Sequence, residues 1–161
     1  MASYTADQIA RYLLSLPNEE DNDISNLKLQ KLCYYAHGVI SSMRGEPLIN
    51  EDPCAWDHGP VFVGLYHKYK EHGSQPIPVV SDFDVSEIDE MDRHALDDVY
   101  DYYSQFSPWR LRNMTHEEKP WIDAYQASSG KRMPLETLTD FFAPQIDEEY
   151  AEKLYGKAKA R

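Results

Sequence analysis

The sequence predicts a mainly α fold: a compact single-domain helical fold with a small two-stranded β element after its central helix. Three observations lead to this prediction. One long helix is expected between Ser25 and Gly45, an irregular extended stretch follows it, and apolar residues elsewhere recur every three or four positions. With 161 residues, of which 42% are hydrophobic, the chain is long enough for one domain with its own core.

The central helix is predicted by its apolar spacing and by a signal at each end. Ser25 stands where an N-cap acceptor belongs, and Gly45 can adopt the left-handed conformation that ends a helix. We expect this helix to bury a single wide apolar face. That stripe comprises Leu29, Leu32, Cys33, Ala36, Val39, Ile40 and Met43.

The stretch from Glu46 to Val61 is too irregular for a helix. It predicts two short extended pieces joined by a turn, and a third helix that begins at Pro60 and ends before Gly73. Residues 73–83 are expected to run as a loop, because Pro76 and Pro78 disfavour a helix there.

The remaining elements are expected to be helices with recognisable first turns. Thr5 and Gln8 match a capping box at the first helix, and Ser107 followed by Pro108 predicts a start further along. A long helix should begin at Asp84 or Ser86 and end near Phe106; its predicted buried side comprises Ile88, Met91, Ala95, Val99, Tyr102 and Phe106. Short helices are expected over 120–127 and from Pro134, separated by a flexible loop at 128–132, and a polar helix over 147–161. We predict a helical domain over residues 1–145 with a C-terminal helical extension over 146–161.

Composition limits the classes of function. Sixteen basic and 28 acidic residues give a net charge of −12, which argues against a protein that neutralises nucleic-acid phosphates. The same charge suits a basic protein partner, although an acidic surface can simply maintain solubility. Without an apolar run of about 18 residues or a secretory signal, a soluble cytoplasmic protein is expected. Cys33 and Cys54 lack metal or redox spacing and are expected to be reduced thiols.

Catalytic and metal-binding patterns are absent from the sequence. None of the six histidines lies in a His-Glu-x-x-His or Glu-x-x-His motif, and no nucleophile elbow or glycine-rich phosphate loop is present. His94 shares a helical face with Glu90 and Asp98, a grouping more typical of a solvated ion pair than of a metal site. No catalytic residue, metal or cofactor is predicted. A small hydrolase would require a bound divalent metal or a titrating His58 in a pocket.

Two segments are candidates for a contact surface. Trp56 and His58 lie at a strand-to-helix corner, where the tryptophan either fills the core or anchors a partner. On the central helix a second face forms a locally basic, amphipathic strip, for which ordinary burial of the lysine stems is the alternative explanation. This strip comprises Lys28, Lys31, Tyr34, Tyr35 and Gly38.

Several ordered blocks of the sequence resemble one family. They are Leu27-Lys28-Leu29-Gln30-Lys31-Leu32-Cys33-Tyr34-Tyr35-Ala36-His37-Gly38, Gly45-Glu46-Pro47-Leu48, Ala55-Trp56-Asp57-His58-Gly59-Pro60-Val61 and Thr115-His116-Glu117-Glu118-Lys119-Pro120-Trp121. Together they resemble the Panacea domain, the SocA-like antitoxin family, over roughly residues 4–142. The resemblance implies a mainly helical fold with a small β element. It also implies an antitoxin that neutralises a toxin encoded beside it by direct protein contact.

The resemblance leaves two modes of action open. In one, the chain occludes a cognate toxin. Because the chain is acidic, we expect this toxin to be basic. In the other, it is a proteolytic adaptor or phage accessory protein that delivers its partner to a Clp-type protease, for which the tail Gly156–Arg161 would be the docking segment. Neither mode requires direct nucleic-acid or membrane binding, and a homodimer or a hetero-oligomer with the toxin stays open. The hypothetical partner-binding patch comprises Lys28, Lys31, Tyr35, Trp56, His58, Tyr66 and Trp121.

Overall fold

Eight α-helices and one two-stranded sheet make up the part of the chain that the computed structural model describes, residues 2–127 and 131–156. The helices are α1 (Ala6–Leu14), α2 (Asn26–Arg44), α3 (Val63–Tyr69), α4 (Glu90–Tyr103), α5 (Pro108–His116), α6 (Lys119–Gln126), α7 (Leu135–Phe142) and α8 (Glu148–Tyr155). Strands β1 (Cys54–Trp56) and β2 (Gly59–Val61) lie between α2 and α3 along the chain. The predicted fold class is confirmed.

Helix α2 is the centre of the fold and has both predicted caps. The Ser25 hydroxyl accepts a hydrogen bond from the Lys28 amide, and Gly45 ends the helix with a φ of 77°. Of its 19 residues, 17 are buried, because α1, α3, α4, α5, α7, α8 and β2 pack around it. The expectation of a single wide apolar face is therefore wrong. This helix is enclosed on all sides and buries polar as well as apolar side chains.

The β element is an antiparallel hairpin in which Cys54 pairs with Val61 and Ala55 with Pro60. Pro60 was expected to begin a helix, but it lies inside β2, and α3 begins three residues later. A proline is tolerated here because a two-stranded sheet consists of edge strands, which can leave one position without an amide donor. A short 3₁₀ turn, Lys70–His72, extends α3 to the predicted stop at Gly73.

Capping signals in the sequence also predicted the starts of α1 and α5 correctly, but they misplaced the start of α4. Thr5 and Gln8 form the predicted capping box of α1, and the Ser107 hydroxyl caps α5 ahead of Pro108. Asp84 caps only a 3₁₀ turn, Val85–Glu87, and α4 begins separately at Glu90. The predicted buried side of α4 is wrong at two positions, since Met91 is 43% and Tyr102 is 55% exposed.

The C-terminal helices close over α2. An added Cβ at Gly38 would lie 2.4 Å from the Phe142 ring, so the glycine permits the close packing of α7 on α2. Helix α8 packs through the buried Ala151 and through Tyr155, whose hydroxyl donates to Asp92 at 2.6 Å. The predicted final helix is present from Glu148 to Tyr155. Its predicted continuation over 157–161 and the loop at 128–130 lie outside the described residues.

Candidate partner-binding face

The structure divides the seven residues of the hypothetical patch into two groups. Lys28 and Lys31 are 0% exposed and Tyr35 is 1% exposed, so the expected basic strip on the surface of α2 is wrong. The other four residues keep at least part of their side chains accessible; they are Trp56, His58, Tyr66 and Trp121. Whether any of the seven binds a partner stays a prediction.

Lys28 has its own acceptors inside the fold. Its Nζ forms an ion pair with Asp23 at 2.8 Å and donates to the Ser104 carbonyl oxygen at 2.6 Å. These contacts connect the start of α2 to the residue after α4, so the side chain has a structural role.

Tyr35 belongs to a buried group of aromatic rings around the carboxyl of Glu118. Its ring stacks on Tyr103 with a centroid distance of 4.1 Å, and its hydroxyl donates to Glu118 Oε2 at 2.9 Å. Glu118 Oε1 and the Tyr34 hydroxyl are buried and have no hydrogen-bond partner among the described residues. Burial raises the pKa of Glu118 to about 7, and the hydrogen bond from Tyr35 opposes this change only in part.

We expect Glu118→Gln to stabilise the protein at pH 8 and to have little effect near pH 4. In the folded protein, the Glu118 carboxyl keeps its proton up to about pH 7. In the unfolded chain, the same carboxyl loses its proton above about pH 4.5. The free energy of unfolding therefore falls as the pH rises from about 4.5 to 7. Glutamine keeps an acceptor for Tyr35 and removes this cost, which is at most roughly 3–4 kcal/mol, at about 1.4 kcal/mol per pKa unit.

Urea unfolding of both proteins at a series of pH values measures this difference. The exposed Glu136→Gln on α7 is the matched control. Its difference in unfolding free energy from the unmodified protein should not depend on pH. A Glu118→Gln difference that is the same at pH 4 and pH 8 would contradict a raised pKa.

Lys31 lies beneath the hairpin. Its Nζ donates to the Pro60 carbonyl oxygen at 3.0 Å, and its Cε would lie 2.4 Å from a Cβ at Gly59, whose φ is 108°. Both the backbone conformation and the close lysine thus require glycine at this turn. The pKa of Lys31 is lowered to about 7, mainly by burial and to a smaller extent by the nearby positive charge of Arg112.

Three of the accessible patch residues line one groove. Trp56, His58 and Tyr66 border a cavity of about 550 Å³ between α2, the hairpin and α3. The Trp56 and Tyr66 rings meet edge to face, with centroids 5.1 Å apart. Lys31 is at the floor of this groove, so the structure brings these four predicted residues together.

Trp121 lies on another side of the hairpin and does not line the groove. Its indole Nε1 donates to the Trp56 carbonyl oxygen at 2.9 Å. Its ring stacks between His116, at 3.9 Å, and Tyr125, at 4.5 Å. Trp121 therefore holds β1 against α6 while part of its ring stays accessible.

Two residues on α5 extend this surface and were missed by the sequence analysis. Trp109 is 53% exposed, and its ring centroid lies 5.5 Å from that of His58. The Arg112 guanidinium carbon lies 4.5 Å from the Trp109 ring centre, and its Nε donates to His58 Nδ1 at 3.3 Å. Their spacing of three on a predicted helix was the available signal. We call this surface the aromatic face; it comprises Trp56, His58, Tyr66, Trp109 and Arg112.

The acidic, histidine and cysteine side chains that the structure describes do not converge on a metal site. Within residues 2–127 and 131–156, no group of three or more His, Cys, Asp or Glu side chains could hold a metal ion. His94 and Glu90 form only an exposed contact of 3.7 Å. Cys33 and Cys54 are free thiols. Each helix in the described part of the chain is too short or too polar to span a lipid bilayer.

Comparison with known families places the aromatic face within a named domain. Residues 29–122 match the family described as "Antitoxin SocA-like, Panacea domain", which is more than half of the 161 residues. The chain belongs to this family. The Panacea match begins in α2 and ends in α6, so it includes the hairpin, α3 and all five residues of the aromatic face. It is shorter than the resemblance expected from the sequence blocks, which extended from about residue 4 to 142.

One curated relative of this Panacea protein is "Antitoxin SocA" of Caulobacter vibrioides (strain NA1000 / CB15N). The two are 40% identical over 75 residues, which is 47% of this chain and 40% of the relative. The chain therefore matches less than half of the relative's length. No solved structure gives a significant match.

Proposed function

We propose that this protein is an antitoxin that neutralises a cognate toxin by direct protein–protein binding. Membership of the Panacea family, together with a relative that bears the name antitoxin, is the observation that carries the proposal. The partner is then a toxin protein, and binding does not require chemistry by the antitoxin. The aromatic face is the surface that we assign to this contact.

The composition of the aromatic face supports a role in protein binding. Trp, Tyr and Arg are the residues most enriched among interface hot spots. The aromatic rings supply a large contact area with few rotatable bonds, and the guanidinium presents five donors in one plane. The face contains Trp56, Tyr66, Trp109 and Arg112 close together, and Trp109 is more than half exposed in the free chain. Burying this side chain against a partner would remove a large apolar area from water.

Net charge supports an encounter with a basic partner. At −12, the chain attracts positively charged proteins over distances of about a Debye length, roughly 10 Å at 0.1 M salt. Such attraction mainly increases the rate of association, so it should weaken at high salt while the buried contacts persist.

Co-expression with the adjacent open reading frame tests the proposal. We expect the neighbouring product to be toxic alone, to be harmless with this chain, and to co-purify with it more weakly at high salt. A harmless neighbour, or a toxic one that neither binds this chain nor is suppressed by it, would contradict the proposal. Neutralisation with the purified proteins alone would favour occlusion over delivery to a Clp-type protease.

A further inference from the structure

The groove lined by Trp56, His58 and Tyr66 of the aromatic face carries a charge opposite to that of the chain as a whole. Three lysines line it, Lys31, Lys70 and Lys131, together with His58. Asp57 is the single carboxylate among the lining residues, and its Oδ1 already accepts a hydrogen bond from the Tyr125 hydroxyl. In a protein of net charge −12, this groove is locally positive.

Two basic groups near the hairpin lack acidic partners: Lys31, which lines the groove, and Arg112, which lies outside its lining. Lys31 Nζ donates to a carbonyl oxygen, and Arg112 contacts His58 and the Asn113 side-chain amide oxygen. No carboxylate of the described residues lies within ion-pairing distance of Lys31 or Arg112. His116 Nε2, close to the same groups, is buried and has no hydrogen-bond partner there.

Lys28 and Arg44 are also buried cations, but both are paired with an acid. Those two buried cations each have a carboxylate at 2.8 Å, Asp23 and Asp92 respectively. A buried cation without an anion carries an uncompensated desolvation cost, and burial together with Arg112 accordingly lowers the pKa of Lys31 to about 7. Because Lys31 is 0% exposed, a carboxylate bound in the groove would supply a counter-charge at a distance and not by direct contact.

The groove also offers an apolar wall. Trp56 and Tyr66 stand beside Leu27 and Val61 along its border. Its volume of about 550 Å³ lies within the range of roughly 300–1,000 Å³ that is typical of ligand pockets. A ligand that suits this groove therefore combines an anionic group with an apolar side chain.

We propose that this groove binds a short acidic segment of the protein partner, with a carboxylate near the exposed Lys70 and Lys131 and an aromatic or aliphatic side chain against Trp56 and Tyr66. The inference rests on the proposed function, in which the partner is a toxin. A peptide fits better than a nucleic acid, because the overall charge of −12 would repel a polyanion. A toxin that is basic overall can still present a local acidic segment, since long-range attraction and the close contact depend on different charges.

Two synthetic peptides test the inference without the toxin. One is an acetylated hexapeptide amide that alternates glutamate and phenylalanine, and the other replaces each glutamate with glutamine. Isothermal titration of the full chain should show tighter binding of the acidic peptide, and the difference should decrease with salt. Equal binding of the two peptides, or no binding of either, would overturn the proposal.

A pair of charge reversals locates the binding. Lys70 lies in the groove and Lys153 on α8 outside it; both are exposed, and replacing either with glutamate changes the net charge equally. We expect Lys70→Glu to weaken binding of the acidic peptide by about fivefold or more and Lys153→Glu by less than about twofold. Equal effects of the two variants would show that only the overall charge matters and would overturn the assignment to the groove.

Competition by inorganic phosphate tests whether the groove binds small anions instead of a peptide. If phosphate competes at a lower concentration than the acidic peptide needs for saturation, the groove is a small-anion site and the peptide assignment is wrong. These titrations are independent of neutralisation. Failure of the peptides leaves the antitoxin proposal intact, whereas peptide binding by a chain that does not neutralise its neighbour would overturn the antitoxin role alone.

Discussion

Asp92→Ala is expected to destabilise this protein by about 3–5 kcal/mol, the usual cost of breaking a buried ion pair from one side. Asp92 is 2% exposed and pairs at 2.8 Å with Arg44, which is 0% exposed. Its carboxylate also accepts hydrogen bonds from the hydroxyls of Tyr4 at 2.8 Å and Tyr155 at 2.6 Å. Alanine would leave the guanidinium and both hydroxyls without this acceptor.

The expected loss is a large fraction of total stability, because small domains unfold with only about 5–15 kcal/mol. Urea unfolding followed by circular dichroism measures it. Asp101→Ala is the matched control, since Asp101 lies on the same helix but is exposed, and we expect its effect to stay within about 0.5 kcal/mol. If the two variants unfold at the same urea concentration, the buried pair does not contribute to stability.

The same ion pair explains how distant segments are joined. Arg44 is the last residue of α2, Asp92 lies in α4, Tyr4 precedes α1 and Tyr155 ends α8. Arg44 also donates to the Ala2 carbonyl oxygen. Four separate segments therefore meet at one carboxylate, which periodicity alone could not predict, because the contacts join residues 48 to 88 positions apart.

Local signals predicted most helix ends, because the groups that satisfy a helix terminus lie within a few residues of it. Ser25, Gly45 and the Thr5–Gln8 capping box all act as predicted. Pro60 shows the limit of this reasoning. Its sequence context suits both the first turn of a helix and an edge strand, and pairing with Ala55 decided between them.

The candidate site was predicted only in part for a related reason. Trp56, His58 and Tyr66 lie close together along the chain, and the structure places them on one groove. Lys28, Lys31 and Tyr35 occupy one helical face as expected, but segments outside the helix cover that face. Their acceptors are Asp23 and Ser104, Pro60, and Glu118 respectively. A helical period shows which residues share a face and cannot show what covers it.

Trp109→Ala is expected to weaken toxin binding by about 2 kcal/mol or more, or roughly thirtyfold, while it changes the free energy of unfolding little. Trp109 is 53% exposed in the free chain, so its removal leaves no large internal cavity. In the proposed complex the toxin buries the exposed part of this ring. Titration of the purified toxin with each variant measures the change in dissociation constant.

Tyr102→Ala is the matched control for this prediction. Tyr102 is 55% exposed, so it removes an aromatic ring of comparable exposure, but it lies on α4 and outside the aromatic face. We expect it to bind toxin within about twofold of the unmodified chain. If Tyr102→Ala weakens binding and Trp109→Ala does not, the toxin contacts α4, and the interface must be reassigned from the hairpin and α5 to that helix. If Trp109→Ala alone weakens binding, Arg112→Ala should also weaken it, because its guanidinium lies 4.5 Å from the Trp109 ring centre and holds it in place.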